Sequence, residues 1–220
     1  MTLRAEGISV RRGGRVLLDD VSFAANAGEI VGIIGPNGAG KTTLFEAVAG
    51  FLPDAAGKVE GAAFFYLPDG IRPWSERRAG WVLDFFARLF ARERDHAAVA
   101  ALQLEHLLPQ RIGSLSKGEA KRVALALALS APLPVLLLDE PFDGLDFRQT
   151  RGAMALLRER ANAGRTLVLS IHQLTDAAAI CSRFLLLDHG RAIASGTLAE
   201  LRARAGRCDA TLEEVFLALE

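Results

Sequence analysis

The spacing of apolar and polar residues along the chain predicts strands that alternate with helices. Apolar runs that predict strands lie at 30–34, 62–67, 135–138, 166–171 and 184–187. Apolar positions with helical spacing occupy 41–49, 74–108, 119–129 and 147–162. Residues 2–34 predict an antiparallel β region that leads into the first buried strand. This order predicts an α/β fold with a mostly parallel sheet.

The composition is that of an ordinary globular protein, with 50% hydrophobic and 24% charged residues. We therefore predict one domain over residues 1–220, with a helical subdomain inserted at about 70–130. Lysine plus arginine and aspartate plus glutamate both number 26, so there is no electrostatic reason to expect nucleic acid as a partner. Cys181 and Cys208 lack the spacing of a metal site and indicate a reducing compartment.

Two observations argue against a membrane-spanning segment. Residues 1–6 lack the apolar core of a signal peptide. The most apolar stretch, 123–138, is interrupted by Ser130, Pro132 and Pro134 and is shorter than a bilayer span. We therefore expect that the chain does not cross a membrane by itself, although it can lie against one.

A glycine-rich segment between a predicted strand and a predicted helix fits the pattern G-x-x-x-x-G-K-T. The candidate phosphate-binding residues are Gly35, Pro36, Asn37, Gly38, Ala39, Gly40, Lys41, Thr42 and Thr43. Glycines allow consecutive backbone N–H groups to turn towards phosphate oxygens, and the start of the helix adds its positive dipole. Lys41 would supply a charge to the β- and γ-phosphates, and Thr42 a hydroxyl to Mg²⁺. The alternative is a glycine-rich turn with a surface lysine.

A second set of candidate residues ends the apolar run at 135–138. Asp139 can hold Mg²⁺ through water, and the adjacent Glu140 can orient and deprotonate an attacking water. Taken alone this pattern is weak evidence, since many buried strands end in acids at an exposed turn. The glycine-rich segment upstream favours the catalytic interpretation.

The order of four motifs resembles that of ATP-binding-cassette (ABC) ATPases. The sequence Leu-Ser-Lys-Gly-Glu at 115–119 resembles the signature loop of that family, Leu-Ser-Gly-Gly-Gln. Residues 138–146 are similar to its combined Walker B and D-loop, and His172 falls at the position of its switch histidine. With the glycine loop, the resemblance extends over nearly the whole chain.

The resemblance implies ATP hydrolysis with Mg²⁺ in a head-to-tail dimer, here expected to be a homodimer. Ser116 and Gly118 would then contact the ATP held by the other subunit, and His172 its γ-phosphate. A helix cap is the alternative for Ser116, and a structural histidine at a strand end for His172. The resemblance places Asp146 at the dimer interface, although a solvated turn acid also fits. A separate membrane permease would hold the protein at the cytoplasmic face of the membrane.

Four positions depart from the family pattern. Arg12 stands where the family usually places an aromatic ring against adenine, and it either stacks on the base or is solvated. Asp69 replaces the glutamine at the junction with the helical subdomain, where its carboxylate could reach Mg²⁺ but adds negative charge beside the phosphates. Lys117 and Glu119 replace a glycine and a glutamine of the signature loop.

Two segments of the sequence predict the process that ATP hydrolysis would power, which is transport across a membrane. Residues 211–217 resemble the tail of bacterial exporter ATPases, and the chain ends at Glu220 without the longer extension of many importer ATPases, which favours export. Residues 71–81 hold two tryptophans and three arginines and predict a contact with the membrane subunit, with Trp74 at the surface and Trp81 anchored in the core. A soluble ATPase of a cofactor-assembly complex and a weakly hydrolysing regulatory module remain as alternatives.

Overall fold

A computed structural model of the chain describes residues 3–220. The strands in chain order are β1 (Leu3–Arg12), β2 (Arg15–Ala25), β3 (Ile30–Ile34), β4 (Ala55–Gly61), β5 (Phe64–Leu67), β6 (Val135–Asp139), β7 (Thr166–Ile171), β8 (Arg183–Asp188) and β9 (Arg191–Gly196). The α-helices are α1 (Lys41–Val48), α2 (Ala79–Leu89), α3 (His96–Ala101), α4 (Lys117–Ser130), α5 (Phe147–Asn162), α6 (Leu174–Ile180), α7 (Leu198–Arg204) and α8 (Leu212–Leu219). Among these residues no helix is long and apolar enough to cross a membrane.

A six-stranded sheet with the order β5-β6-β7-β3-β8-β9 forms the centre of the molecule. Its strands pair in parallel except for β8 and β9, which form an antiparallel hairpin. Side chains of β3 alternate between two apolar clusters: Ile30 and Ile34 belong to the cluster that contains α4, α5 and α6, while Val31 and Ile33 belong to the cluster that contains α1. Helices cover one face and α1 with the N-terminal strands covers the other, so the predicted α/β fold with a mostly parallel sheet is confirmed.

The predicted N-terminal β region is an antiparallel sheet with the order β2-β1-β4. Thr2, included in that prediction, lies outside the described residues. The sequence does not predict β4, because nearly every residue of that strand is exposed and no apolar alternation marks it.

The helical periodicity predicted over 74–108 corresponds to α2, α3 and a short 3₁₀ turn at Glu105–Leu107. Arg94, in the loop between the two helices, donates to both carboxylate oxygens of Asp84, at 2.8 and 2.7 Å, and to the Gly80 carbonyl at 3.0 Å. These bonds fold the loop back onto α2. The helix α4 follows these elements in the chain, and its first turns pair with residues in the loops after β5 and β6.

Candidate active site

The glycine loop joins the end of β3 to the start of α1, at the carboxyl edge of the central sheet. Gly38 (φ 85°) and Gly40 (φ 103°) adopt left-handed backbone conformations. A Cβ atom at Gly35 would lie 2.1 Å from the Leu187 carbonyl oxygen, so a larger residue does not fit there. Within the described chain, α1 begins without a side-chain cap, which leaves the N–H groups of its first turn available to an anion.

The loop forms one wall of a cavity of about 670 Å³. The cavity is lined by residues of β2, the loop, α1, the end of β6 and the β8–β9 turn: Val16, Leu17, Asn37, Gly38, Gly40, Lys41, Thr42, Thr43, Glu140, His189 and Gly190. Lys41 Nζ donates to the carbonyl oxygens of Gly35, at 2.8 Å, and Pro36, at 3.0 Å. Burial lowers the pKa of Lys41, while the negative charges of Glu140 and Asp139 oppose that shift. A phosphate group in the cavity would therefore meet a cation and an array of backbone donors.

A buried carboxylate lies beside this cavity. Asp139, at the end of β6, is almost completely buried, and its Oδ2 accepts a hydrogen bond from Thr42 Oγ1 at 2.8 Å. Its Oδ1 accepts a hydrogen bond from the Ser170 hydroxyl on the neighbouring strand β7. A hydroxyl and a carboxylate are the hard oxygen ligands that Mg²⁺ prefers, so these residues fit that ion.

Glu140 lies on the cavity wall and also contacts His172. Its carboxylate oxygen Oε2 lies 3.2 Å from His172 Nδ1. Its backbone has φ 47°, a left-handed conformation that is unfavourable for a residue with a side chain. The structure thus brings the two predicted catalytic residues into contact, and Glu140 lines the same cavity as Lys41 and Thr42.

The signature-type loop lies outside this cavity in the same chain. Ser116 caps α4 in a capping box: its hydroxyl accepts from the Glu119 N–H at 3.3 Å, and Glu119 accepts from the Ser116 N–H at 2.8 Å. The same contacts lower the pKa of Glu119. Lys117 pairs with Asp143, and that hydrogen bond lowers the pKa of Asp143. Ser116 thus acts as a helix cap, the alternative given in the sequence analysis. Contact of Ser116 and Gly118 with a nucleotide phosphate would require a second subunit.

Asp69 and Arg12, two of the residues that depart from the family pattern, have partners elsewhere. Asp69 forms an ion pair with Lys121 of α4, and Arg12 lies 3.6 Å from Asp54 in an exposed pair. Both lie outside the cavity described above. Asp146 caps α5, accepting from the Gln149 N–H at 2.9 Å.

Sequence reasoning missed six residues that contribute to the site or its surroundings. They are Val16, Leu17, His189 and Gly190 on the cavity wall, Ser170 beside Asp139, and Lys121 opposite Asp69. The only local signal for Ser170 was a hydroxyl in an apolar run. The other five give no signal before the fold is known.

The fold and the site together define a P-loop ATPase with a helical insertion whose signature-type loop opens α4. Residues 18–143 match the family described as ABC transporter, and the chain belongs to that family. It is therefore an ATP-binding and ATP-hydrolysing subunit of the ABC type, as the sequence predicts.

Related proteins agree with this assignment. A hemin import ATP-binding protein of Nocardia farcinica is 41% identical over 228 residues, which cover 89% of this chain and 77% of that protein. A lipopolysaccharide export ATP-binding protein of Escherichia coli (strain K12) is 33% identical over 224 residues, which cover 91% of this chain and 92% of that protein. A solved structure of the ATP-binding subunit of an ABC transporter superposes with a TM-score of 0.92 at 27% identity, covering 100% of this chain and 99% of that one. The relatives thus include both an importer and an exporter.

Proposed function

We propose that the chain hydrolyses ATP to power a separate membrane-spanning subunit of a transporter, at the cytoplasmic face of the membrane. The observation that carries the proposal is one cavity lined by Lys41, Thr42 and Glu140, with the buried Asp139 hydrogen-bonded to the Thr42 hydroxyl beside it. The nucleotide phosphates would lie along the glycine loop, from Gly35 to Thr43. The ring-binding position predicted for Arg12 is not part of this proposal, because that guanidinium pairs with Asp54.

Each residue of the site has a distinct chemical role in the proposal. Lys41 holds the β- and γ-phosphates, and the N–H groups of the loop donate to their oxygens. Thr42 and Asp139 would hold Mg²⁺, which when bound neutralises negative charge on the phosphates. Glu140 accepts a proton from the attacking water, and His172 fixes the direction of that carboxylate.

A second copy of the chain completes the site in this proposal. Ser116 and Gly118 lie at the accessible start of α4, outside the cavity of their own subunit. In a head-to-tail homodimer they would face the phosphates bound to the partner. The N–H groups of the first turn of α4 would then donate to the γ-phosphate.

The proposed contact with the membrane subunit is an aromatic surface formed by Trp74, Trp81 and Phe85. These side chains are 45%, 43% and 36% exposed. Trp81 stacks on Phe85 with ring centroids 5.0 Å apart, and the Arg77 guanidinium lies 5.0 Å from the Trp81 ring. The expectation that Trp81 anchors the core is wrong, because α2 buries Val82 and Leu83 and turns Trp81 outward. Aromatic residues and arginine are enriched at interface hot spots, which supports a protein partner here.

We propose export as the direction of transport. Support comes from the predicted exporter-type tail, which forms α8 behind the capping box of Thr211 and Glu214, and from the lipopolysaccharide export relative. Import is the second candidate, favoured by the 41% identity with a hemin import protein.

One experiment tests the function and another the transport role. Glu140→Gln removes the proton acceptor but keeps the phosphate contacts, so ATP turnover should fall by about 10²–10⁴-fold while ATP remains bound. Near-normal turnover would contradict the assignment of Glu140. Affinity purification of the tagged chain from detergent-solubilised membranes should recover an integral membrane protein. Recovery of soluble partners alone would instead support the cofactor-assembly alternative.

A further inference from the structure

A buried hydroxyl joins the two acidic residues at the end of β6. Ser170 is completely buried and lies directly opposite Asp139 in the parallel register of β6 and β7. Its Oγ donates to Asp139 Oδ1 and accepts the backbone N–H of Glu140 at 2.9 Å. One side chain therefore contacts the carboxylate of the first acid and the main chain of the second.

The hydrogen bond from Ser170 holds one of the two oxygens of the Asp139 carboxylate in place. Its other oxygen accepts from Thr42, at the start of α1. With one hydrogen bond to each oxygen, from β7 and from α1, the plane of the carboxylate cannot turn without losing a bond. Ser170 thus helps to set the orientation of the Asp139 carboxylate beside the cavity.

The bond to Glu140 supports a backbone conformation that the residue does not favour. Glu140 has φ 47°, where its own Cβ crowds the following carbonyl group. In this conformation its N–H points back to Ser170, and its carboxylate lies at His172 and on the cavity wall. If the Glu140 N–H lost its acceptor, a partly buried donor would be unsatisfied, which would weaken the hold on this backbone conformation.

We propose that Ser170 is a positioning residue for ATP hydrolysis, which aligns Asp139 and Glu140 through a single shared hydroxyl. The proposal rests on the proposed role of Glu140 as the base. Ser170 touches neither nucleotide nor water in this scheme. It acts by holding the main chain and one carboxylate in place.

The test compares Ser170→Ala and Ser170→Thr with Ser130→Ala as the matched control. Ser130 is also a buried serine, whose hydroxyl donates to the Ala126 carbonyl at 2.8 Å within α4. We expect Ser170→Ala to lower kcat by about 10- to 100-fold, the usual effect of removing a group that orients ligating residues. The KM for ATP should change much less, because the glycine loop is intact. Ser170→Thr keeps the hydroxyl and should restore most of the rate, and Ser130→Ala should keep the rate of the unaltered protein.

A binding measurement separates alignment from general damage. The affinity for a fluorescent ATP analogue, titrated with and without Mg²⁺, should lose part of its Mg²⁺ dependence in Ser170→Ala but not in Ser130→Ala. Unchanged kcat in a folded Ser170→Ala protein would overturn the proposal, as would equal losses of rate in Ser170→Ala and Ser130→Ala. If Ser170→Ala does not fold, Ser170→Cys takes its place with the same expectations, because it keeps the size and weakens the hydrogen bonds. Glu140→Gln, measured in parallel, shows separately whether the assignment of the base has failed.

Discussion

Truncating Asp69 tests whether its ion pair with Lys121 holds α4 to the core. The Lys121 side chain is 5% exposed and that of Asp69 is 39% exposed, so Asp69→Ala leaves a largely buried lysine without its carboxylate partner. Breaking a buried ion pair by removing one partner costs about 3–5 kcal/mol, whereas an exposed pair contributes about 0–1 kcal/mol. Because one end of this pair reaches solvent, we expect Asp69→Ala to lower the free energy of unfolding by about 2 kcal/mol.

The same geometry predicts that a second substitution restores stability. Lys121→Met alone introduces an apolar side chain of similar length and leaves only the half-exposed Asp69 unpaired, at a cost below about 1 kcal/mol. The double variant, Asp69→Ala with Lys121→Met, leaves neither charge unpaired. It should therefore be more stable than Asp69→Ala alone. Urea unfolding of the nucleotide-free chain, followed by circular dichroism, measures all three variants. Glu60→Ala, which breaks an exposed pair with Lys58, is the control and should stay within about 0.5 kcal/mol of the unaltered chain. A double variant less stable than Asp69→Ala would refute the argument that a buried unpaired charge causes the loss.

Three further predictions concern nucleotide and partners. Lys41→Ala removes the cation of the loop and should weaken ATP binding in an equilibrium titration by at least about tenfold; unchanged binding would place the phosphate site elsewhere. Ser116→Arg should leave ATP binding to the isolated subunit intact but prevent ATP-driven dimerisation, measured by size-exclusion chromatography, and mixing it with Lys41→Ala subunits should restore one composite site. Trp74→Ala with Arg77→Glu should reduce co-purification of the membrane subunit without affecting ATP binding, and undiminished co-purification would remove this surface from the interface.

The strands of the central sheet could be predicted because burial on both faces leaves a continuous apolar run in the sequence. Helix ends in the insertion could not be predicted in the same way. The helix α2 is followed by Ala91 (φ 53°) and α3 by Gln103 (φ 54°), both in the left-handed conformation that glycine usually supplies after a helix. Without a glycine or proline at these points, the pattern over 74–108 does not show where one helix ends and the next begins.

The parts of the site that could be predicted are local in the sequence. The glycine loop and the Asp139–Glu140 pair each carry their signal within a few residues. Ser170 and Lys121 do not, since their contacts join positions 31 and 52 residues apart and depend on strand register and on the placement of α4. The error on Trp81 has a similar origin: α2 is apolar on most of its circumference, so spacing alone does not show which side faces the core.

The charges by which this chain departs from the family pattern find partners within the same chain. Asp69, which follows β5, pairs with Lys121, and Lys117 pairs with Asp143, which follows β6. The first turns of α4 are thereby bound to the loops at the carboxyl ends of two neighbouring strands. A glutamine in place of Asp69 or a glycine in place of Lys117 would form no ion pair. The loop after β6 begins at Glu140, the proposed base, and contains Asp143. A partner that displaces α4 must therefore either move this loop together with α4 or break the bond between Lys117 and Asp143.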